Sequence, residues 1–225
     1  YTKMNLEKPV SNLEIIKKKI AEQEAEAGQK KGSVKLIAVS KTKPIDQIRP
    51  VIDEGQPHFG ENKVQEAVSK WQDFKEENQA INLHLLGPLQ SNKVKKVFGL
   101  FDYIHSLDRN SLAEKISDEA QKKGFCPKIF IQVNTGLEEQ KAGIEPEKLN
   151  DFLKYIRKSM DLNIVGLMCI PPINESPETH FKFLKKLADE NGLLELSMGM
   201  SLDYLTAIKC GATCVRVGTA IFGSR

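Results

Sequence analysis

Lys41 is the residue of this sequence best placed to do chemistry. It follows residues 34–39, a short and largely aliphatic stretch that ends before Pro44 and predicts a buried strand. By the alternation of strand side chains, Lys41 shares a face with Ile37 and Val39. A lysine amine at the mouth of an apolar strand is partly desolvated, which makes it nucleophilic toward carbonyl groups. Lys41 is therefore a candidate Schiff-base lysine, and a solvated lysine at a strand end is the alternative.

Arg216 is the second candidate, because it lies in the last apolar stretch of the chain. Residues 214–222 are predicted to form the final strand, and by alternation Arg216 shares a face with Cys214 and Gly218. This places a guanidinium within an apolar layer, where it must have a partner. The partner is either an acid of the core, in a structural salt bridge, or a ligand.

Small and hydroxyl-bearing residues follow the last two predicted strands. Gly218 and Thr219 stand in the final apolar stretch, and Ser201 comes just after Gly199, where a helix is predicted to begin. Backbone N–H groups beside glycine can approach a phosphate closely, as the loops after the seventh and eighth strands of a barrel often do. These residues are a candidate phosphate site, with plain turns as the alternative.

The elements that must position these residues alternate along the whole chain. We count eight predicted strands separated by predicted helices, and apolar strands of this kind are typical of a parallel sheet covered on both faces. The pattern predicts an α/β fold, a single (β/α)₈ TIM barrel, with residues 1–225 as one domain. An extra N-terminal helix over residues 11–27 could cover the place of a missing helix after the last strand. A doubly wound open sheet is the alternative.

The barrel brings the candidate residues together, because function lies at the carboxyl ends of barrel strands. The residues expected there include Lys41, Asn62, Gly87, Ser106, Asn134, Ser201, Gly218 and Thr219, and Arg216 lies within the last strand. This set contains no paired carboxylates, so glycoside and metal chemistry are not indicated. The histidines lack ligand spacing and are expected to be structural; they are His58, His84, His105 and His180.

Composition argues against several other classes of function. The formal net charge of +3 is small and the lysines are scattered among glutamates, so no nucleic-acid partner is expected. No apolar run reaches the length of a membrane span and residues 1–8 carry no signal-peptide core, which predicts a cytoplasmic protein without a membrane partner. The four cysteines form no CxxC pair and are expected to be reduced thiols.

Several separate motifs, in order, carry a resemblance to a known family. They are AVSKTKP at 38–44, FGEN at 59–62, HLLGPLQSNK at 84–93, GLM at 166–168, GMS at 199–201 and VRVGTAIFG at 215–223. Over nearly its whole length the chain resembles the pyridoxal phosphate homeostasis proteins (the YggS/PROSC family). One position departs from the family pattern, since Leu202 stands where a polar residue is expected before Asp203.

The resemblance implies a fold similar to the N-terminal barrel domain of alanine racemase. It also implies that pyridoxal 5'-phosphate (PLP) is held as an aldimine on Lys41. In that arrangement Arg216 faces the pyridine nitrogen, and Ser201, Gly218 and Thr219 hold the phosphate. The function implied is the holding, buffering or delivery of intracellular PLP.

Two functional classes remain for a PLP-binding barrel, a carrier and an enzyme. Racemisation needs a second acid or base opposite the lysine, which in the alanine racemases is a tyrosine from a separate β-domain, and we expect no such domain here. Arg216 would also leave the pyridine nitrogen unprotonated and thus a poorer electron sink. We therefore expect a monomeric PLP carrier, not an enzyme, whose partners are PLP and PLP-requiring apo-enzymes. The alternatives are a PLP-dependent amino-acid racemase or related enzyme and a cofactor-free phosphosugar isomerase or aldolase that uses Lys41.

Overall fold

The computed structural model describes residues 7–224, in which eight parallel strands close into a barrel. The strands are β1 Lys35–Val39, β2 His58–Glu61, β3 Asn82–Leu85, β4 Tyr103–Leu107, β5 Lys128–Gln132, β6 Ile164–Met168, β7 Glu195–Ser197 and β8 Cys214–Val217. Each strand pairs with the next one along the chain, and β8 pairs with β1. The predicted (β/α)₈ barrel is confirmed, and the open doubly wound sheet is excluded.

Helices connect successive strands and cover the outside of the barrel. They are α1 Glu7–Glu26, α2 Ile45–Asp53, α3 Val64–Glu77, α4 Val94–Val97, α5 Asn110–Lys123, α6 Leu149–Ser159, α7 Pro177–Glu190, α8 Tyr204–Lys209 and α9 Thr219–Phe222. The short 3₁₀ helices Ser91–Lys93 and Pro146–Lys148 lead into α4 and α6. Within residues 7–224, no helix combines the length and the apolar character that a membrane crossing needs.

The last segment differs from the prediction of one strand over residues 214–222. The strand β8 ends at Val217, and Thr219–Phe222 form the one-turn helix α9. A short apolar run does not distinguish a buried strand from a buried helix by periodicity, and here the apolar residue Ile221 is buried from a helix. The helix after the eighth strand, predicted to be missing, is therefore present in shortened form.

The predicted extra N-terminal helix is confirmed as α1, which begins before residue 11. Its buried side chains include Leu13, Ile16 and Ile20, and it packs against α8 and α9. The Asn12 amide Nδ2 donates a hydrogen bond of 2.9 Å to the carbonyl oxygen of Ile221 in α9. The helix α1 thus covers the barrel beside the short α9.

Alternate residues of β1 face the two sides of the barrel wall. Ile37 and Val39 belong to the cluster inside the barrel, whereas Leu36 and Ala38 pack in the layer between strands and helices. Lys41 comes two positions after Val39 and lines the same cavity as Val39. The predicted shared face of these residues is confirmed.

Three of the histidines lie in a row inside the barrel. His58 Nδ1 is 3.0 Å from His84 Nε2, and His84 Nδ1 is 2.9 Å from His105 Nε2. His84 stacks on Tyr103, and His105 stacks on Phe130. Burial lowers the pKa of His58 to about 4 and lowers the pKa of His84 and His105 well below 6.5. The three imidazoles are therefore neutral at neutral pH.

A buried ion pair ties the end of β1 to α3. Glu61 Oε1 accepts hydrogen bonds of 2.8 Å from Lys70 Nζ, Trp71 Nε1 and Ser40 Oγ. Lys70 Nζ also donates to the Ser40 carbonyl oxygen at 2.8 Å. Burial raises the pKa of Glu61, and the nearby Lys70 ammonium opposes that shift. The residue that precedes Lys41 is thus held through both its side chain and its backbone.

The buried histidines predict a fall in the free energy of unfolding below pH 6.5, the ordinary pKa of histidine. In the unfolded chain His84 and His105 take up protons in this range, whereas burial lowers their pKa values and keeps them neutral in the folded protein. The unfolded state therefore binds more protons, so stability decreases as the pH falls. Each imidazole contributes a loss of about 1.4 kcal/mol per pH unit. Urea unfolding over a pH series measures this slope.

Two variants separate the contribution of the histidines to this pH slope from the contribution of the carboxylates. His105→Gln removes one titrating group and should reduce the slope by about 1.4 kcal/mol per pH unit. Ser106→Ala changes the adjacent buried residue without removing a titrating group, so it should leave the slope unchanged. An unchanged slope in His105→Gln would show that this imidazole is not kept neutral by the fold.

The Glu61–Lys70 pair predicts a large effect of removing only one partner. Glu61→Ala should lower the free energy of unfolding by about 3–5 kcal/mol, because the Lys70 ammonium, whose side chain is 8% exposed, would lose its buried carboxylate and keep only the more exposed Glu66 as a counter-ion. Glu66→Ala removes the other, more exposed carboxylate bound by Lys70 and should cost less than about 1 kcal/mol.

A double variant separates this charge effect from the loss of packing. Adding Lys70→Met to Glu61→Ala should restore a large part of the lost stability, since no unpaired charge remains. Chemical denaturation of the unsubstituted protein, Glu61→Ala, Lys70→Met and the double variant gives the coupling energy. Equal losses for Glu61→Ala and Glu66→Ala would contradict a dominant role of the buried pair.

Candidate functional site

The candidate residues line one cavity at the carboxyl ends of the strands. It has a volume of about 560 Å³, and its lining includes Lys41, Asn62, Ser201, Arg216, Gly218 and Thr219. These are the residues that the sequence analysis proposed for cofactor binding, whereas Gly87, Ser106 and Asn134, which were also expected at strand ends, do not line this cavity. Most of the remaining wall is apolar and is formed by the segments after β6 and β7.

Lys41 sits on a turn that is fixed on both sides. Its side chain is half-buried, and its amine has no hydrogen-bond or ion-pair partner within residues 7–224. On one side, Ser40 is held by the buried ion pair of β2 and α3. On the other, Thr42 has a φ of +65°, and its backbone N–H donates to Glu66 Oε1. A β-branched residue in this conformation is strained, so the contacts around the turn must hold it in place.

Asn62 follows β2 and is positioned by a close backbone approach. A Cβ atom on Gly87 would lie 2.1 Å from the carbonyl oxygen of Asn62, so only glycine fits there. The side-chain amide of Asn62 makes no hydrogen bond to any residue that the structure describes. It is therefore free to bind a molecule in the cavity.

The Ser201 hydroxyl lies against the start of α9. Its Oγ accepts a hydrogen bond of 3.2 Å from the backbone N–H of Ala220, so its own proton remains available to a ligand. The turn into Ser201 needs Gly199, which has a φ of +98°. Ser201, Gly218 and Thr219 consequently form one group of hydroxyls and backbone at the end of the cavity.

Leu202, which departs from the family pattern, leaves this turn intact. Leu202 is fully exposed at the cavity, whereas Asp203 stands at the N-cap of α8. Asp203 Oδ1 accepts a hydrogen bond of 2.7 Å from the backbone N–H of Met200. The carboxylate that closes the turn is therefore that of Asp203, and it needs no polar side chain at the preceding position.

Arg216 is 4% exposed and is held by neutral partners. Its Nη1 donates to Ser197 Oγ at 2.7 Å, and its Nη2 donates to the Cys169 carbonyl oxygen at 3.0 Å. The alternative of a salt bridge to a core acid is therefore wrong. Burial lowers the pKa of this guanidinium, but an arginine keeps its charge in proteins. A cation thus faces the cavity without a carboxylate counter-ion.

Sequence reasoning missed the two residues that hold Arg216. Ser197 and Cys169 come from β7 and the end of β6, so neither is near Arg216 along the chain. The available signal was Ser197 itself, a hydroxyl residue within a stretch predicted to be a buried strand. A buried hydroxyl needs a hydrogen-bond partner, and here that partner is the guanidinium.

Sequence reasoning also missed a polar group at the rim. In α7, His180 Nδ1 is 3.0 Å from Thr135 Oγ1, and His180 Nε2 is 2.7 Å from Glu175 Oε2. Glu175 lines the cavity and its side chain is mostly exposed. The structural role predicted for His180 fits this arrangement, in which the imidazole orients the Glu175 carboxylate.

Comparisons with known proteins agree with this geometry. Residues 11–225 match the family model described as "Alanine racemase, N-terminal domain". An alanine racemase of Clostridium difficile has the same fold, with a TM-score of 0.74 at 14% identity over 97% of this chain and 57% of that one. At this identity the similarity concerns the fold alone.

Closer relatives extend the comparison to nearly the whole chain. The pyridoxal phosphate homeostasis protein of Haemophilus influenzae is 42% identical over 226 residues, which cover 95% of this chain and 94% of the relative. The structure of PipY from Synechococcus elongatus, with PLP bound, has a TM-score of 0.78 and 41% identity, and covers 91% of this chain and 100% of that one. The chain belongs to the family of pyridoxal phosphate homeostasis proteins.

Proposed function

We propose that this chain binds PLP through a covalent bond to Lys41 and holds it for intracellular PLP homeostasis. The observation that carries the proposal is the common cavity of Lys41, Arg216 and the Ser201, Gly218 and Thr219 group. Its relative PipY has been solved with PLP bound. PLP supplies an electrophilic aldehyde, an aromatic ring with a nitrogen acceptor, and a phosphate, and the cavity offers a matching donor for each.

The Lys41 amine is the group that fits the aldehyde. It is half-buried and has no partner among the described residues, so no existing contact must be broken before it reacts. Its Nζ forms a C=N bond to the aldehyde carbon, and the aldehyde oxygen leaves as water. The reverse reaction with water releases the cofactor, as a carrier requires.

The group formed by Ser201, Gly218 and Thr219 fits the phosphate. The two side-chain hydroxyls and the backbone N–H groups are neutral donors that can each bind a phosphate oxygen. The position of Gly218 also limits the space, because a Cβ atom there would lie 3.3 Å from Val39 Cβ. Glycine therefore keeps the chain close to β1 and lets the phosphate approach the backbone.

Arg216 fits the ring nitrogen and limits the chemistry that follows. A guanidinium has only donors and does not release a proton at neutral pH. The pyridine nitrogen opposite it therefore accepts a hydrogen bond and stays unprotonated, which makes the ring a poor electron sink. Arg216 thus favours binding over turnover.

The rest of the lining also favours a carrier over a racemase. Within the described chain, the ionisable residues that line the cavity are Lys41, Glu175, Asp203 and Arg216. Asp203 is bound to the Met200 backbone N–H, and Glu175 is bound to His180. The lining offers no tyrosine or histidine as the opposing acid or base that racemisation needs.

This function makes PLP and PLP-requiring apo-enzymes the partners of the chain. Lys41 remains partly exposed, so water or an acceptor amine can reach the covalent bond. Binding keeps the reactive aldehyde from other amines, and release supplies it to apo-enzymes. The monomeric state, the single domain and the cytoplasmic location stay predictions from the sequence.

The covalent bond predicts that Lys41 alone is trapped by borohydride. Protein loaded with PLP should absorb near the edge of the visible range, and reduction should fix the label on Lys41. Lys41→Ala should abolish trapping because no other lysine of residues 7–224 lines the cavity. Lys43→Ala is the matched control, since Lys43 lies two residues away and binds the Ser224 carbonyl oxygen. A label that peptide mass spectrometry maps to Lys43 or Lys63 would disprove the assignment.

The proposed phosphate site predicts that PLP binds with a much higher affinity than pyridoxal, which lacks the phosphate. Each charge-assisted hydrogen bond contributes about 1.5–3 kcal/mol, so pyridoxal should bind roughly 100-fold or more weakly. Ser201→Ala should weaken PLP binding by about 10-fold or more and leave pyridoxal binding unchanged. Gly218→Val should weaken PLP binding too, because its side chain blocks the backbone. Spectroscopic titration measures both ligands, and equal affinities for PLP and pyridoxal would rule out this phosphate site.

The carrier role predicts that the α-proton of an amino acid is not exchanged faster than with free PLP. Alanine in deuterated water, followed by NMR, should exchange at the same rate with PLP alone, with the loaded protein and with a mixture of PLP and Lys41→Ala. The loaded protein should at the same time change the reconstitution rate of a PLP-requiring apo-enzyme. Rapid exchange that depends on Lys41 would support the racemase alternative instead.

A further inference from the structure

The histidines inside the barrel are connected to Arg216 through one hydroxyl group, that of Ser197. His105 Nδ1 is 2.8 Å from Ser197 Oγ, the same oxygen to which Arg216 Nη1 donates. His84 and His58 continue the line toward the opposite end of the barrel through contacts of 2.9 and 3.0 Å. One unbroken series of hydrogen-bonding contacts therefore runs from Arg216 through the barrel interior.

Arg216 and the burial of the Ser197 hydroxyl together set the direction of the hydrogen bonds in this series. A guanidinium can only donate, so Ser197 Oγ must accept from it. Ser197 Oγ could also accept a second hydrogen bond, from a protonated His105 Nδ1, but the buried Ser197 proton would then have no acceptor among the described residues. The assignment that satisfies this proton donates it to His105 Nδ1. It follows that His105 carries its proton on Nε2 and donates to His84 Nδ1. The same step places the His84 proton on Nε2, where it is donated to His58 Nδ1.

Burial keeps this series free of a second charge. His84 and His105 are fully buried, and burial lowers their pKa values. The Arg216 guanidinium is a further cause that lowers the pKa of His105. A protonated imidazole would place a second cation beside the first in a medium of low dielectric constant.

We propose that Arg216 is positioned by one polarised series of hydrogen bonds, which takes the role of a carboxylate partner. The series consists of Ser197, His105, His84 and His58. Each imidazole in it is the neutral tautomer protonated on Nε2. Every acceptor lone pair then points toward the guanidinium and every N–H points away from it. The aligned dipoles stabilise the buried cation, as the aligned peptides of a helix stabilise an ion at its end.

A neutral series of hydrogen bonds leaves Arg216 with its positive charge, which a carboxylate partner would neutralise. A carboxylate typically binds a guanidinium through two parallel hydrogen bonds and neutralises its charge. Here Ser197 and Cys169 use two of the five N–H donors, and the positive charge remains. The other three donors make no hydrogen bond to a described residue, and Arg216 lines the cavity. This inference concerns the protein alone and holds whether or not PLP is the ligand.

Imidazole NMR of the protein without ligand tests the proposal. Long-range proton–nitrogen correlation spectra of protein with ¹⁵N-labelled histidine distinguish the two neutral tautomers and the cation. Substituting each histidine in turn by glutamine assigns the signals. For His58, His84 and His105 we expect a pyrrole-type Nε2 signal and a pyridine-type Nδ1 signal.

Two variants test whether Arg216 and Ser197 set the direction. Arg216→Met removes the obligatory donor, and Ser197→Ala removes the hydroxyl that transmits its effect. In each variant the Nδ1 and Nε2 signals of His105 and His84 should shift toward each other, because both tautomers become populated. His180 does not belong to this series of hydrogen bonds, so it is the internal control and should keep its signals.

Ser106→Ala is the matched control variant. Ser106 is adjacent to His105 and buried, and its Oγ has no hydrogen-bond partner among the described residues. Its removal should leave the histidine signals unchanged, so a general disturbance of β4 can be recognised.

Three results would overturn the proposal. The first is protonation of His84 or His105 on Nδ1, or on both nitrogens, in the unsubstituted protein. The second is an unchanged set of signals in both Arg216→Met and Ser197→Ala. The third is an equal shift in Ser106→Ala. Should one variant fail to fold, the spectrum of the unsubstituted protein and the other variant still decide the question.

Discussion

A guanidinium buried at the mouth of the barrel without a carboxylate is the constraint on which the site depends. The charge of Arg216 must be stabilised by dipoles, and these come from Ser197 and the Cys169 carbonyl, behind which the buried histidines continue. Arg216 also lines the cavity, where its remaining N–H groups make no hydrogen bond to a described residue. In the proposed function, a ring nitrogen placed there would be offered a hydrogen bond but no proton.

The second constraint is the turn that carries Lys41. The proposed bond to the cofactor requires a Lys41 amine that is free of partners and a backbone that is placed accurately. Different residues meet these two requirements. Glu61 and Lys70 hold Ser40 from the barrel side, while Glu66 accepts the N–H of the strained Thr42. The neighbours of Lys41 therefore bear the fixed contacts, and its amine stays available for chemistry.

Local patterns explain what could be predicted from the sequence. Apolar strands in alternation with helices predicted the barrel, and the rule that barrel sites lie at strand ends brought Lys41 and Gly218 to one cavity. The partner of Arg216 could not be predicted in this way, because Ser197 approaches it only when the barrel closes. The prediction of a strand over residues 219–222 was wrong for a different reason, since a run of four residues carries too little periodicity to distinguish helix from strand.

The most direct test of the account is a crystal structure of this protein grown with PLP. We predict continuous electron density from Lys41 Nζ to the cofactor, the phosphate against Ser201 and Thr219, and the ring nitrogen within hydrogen-bonding distance of an Arg216 N–H. Density that joins PLP to another lysine, or a ring turned so that its nitrogen faces away from Arg216, would contradict it.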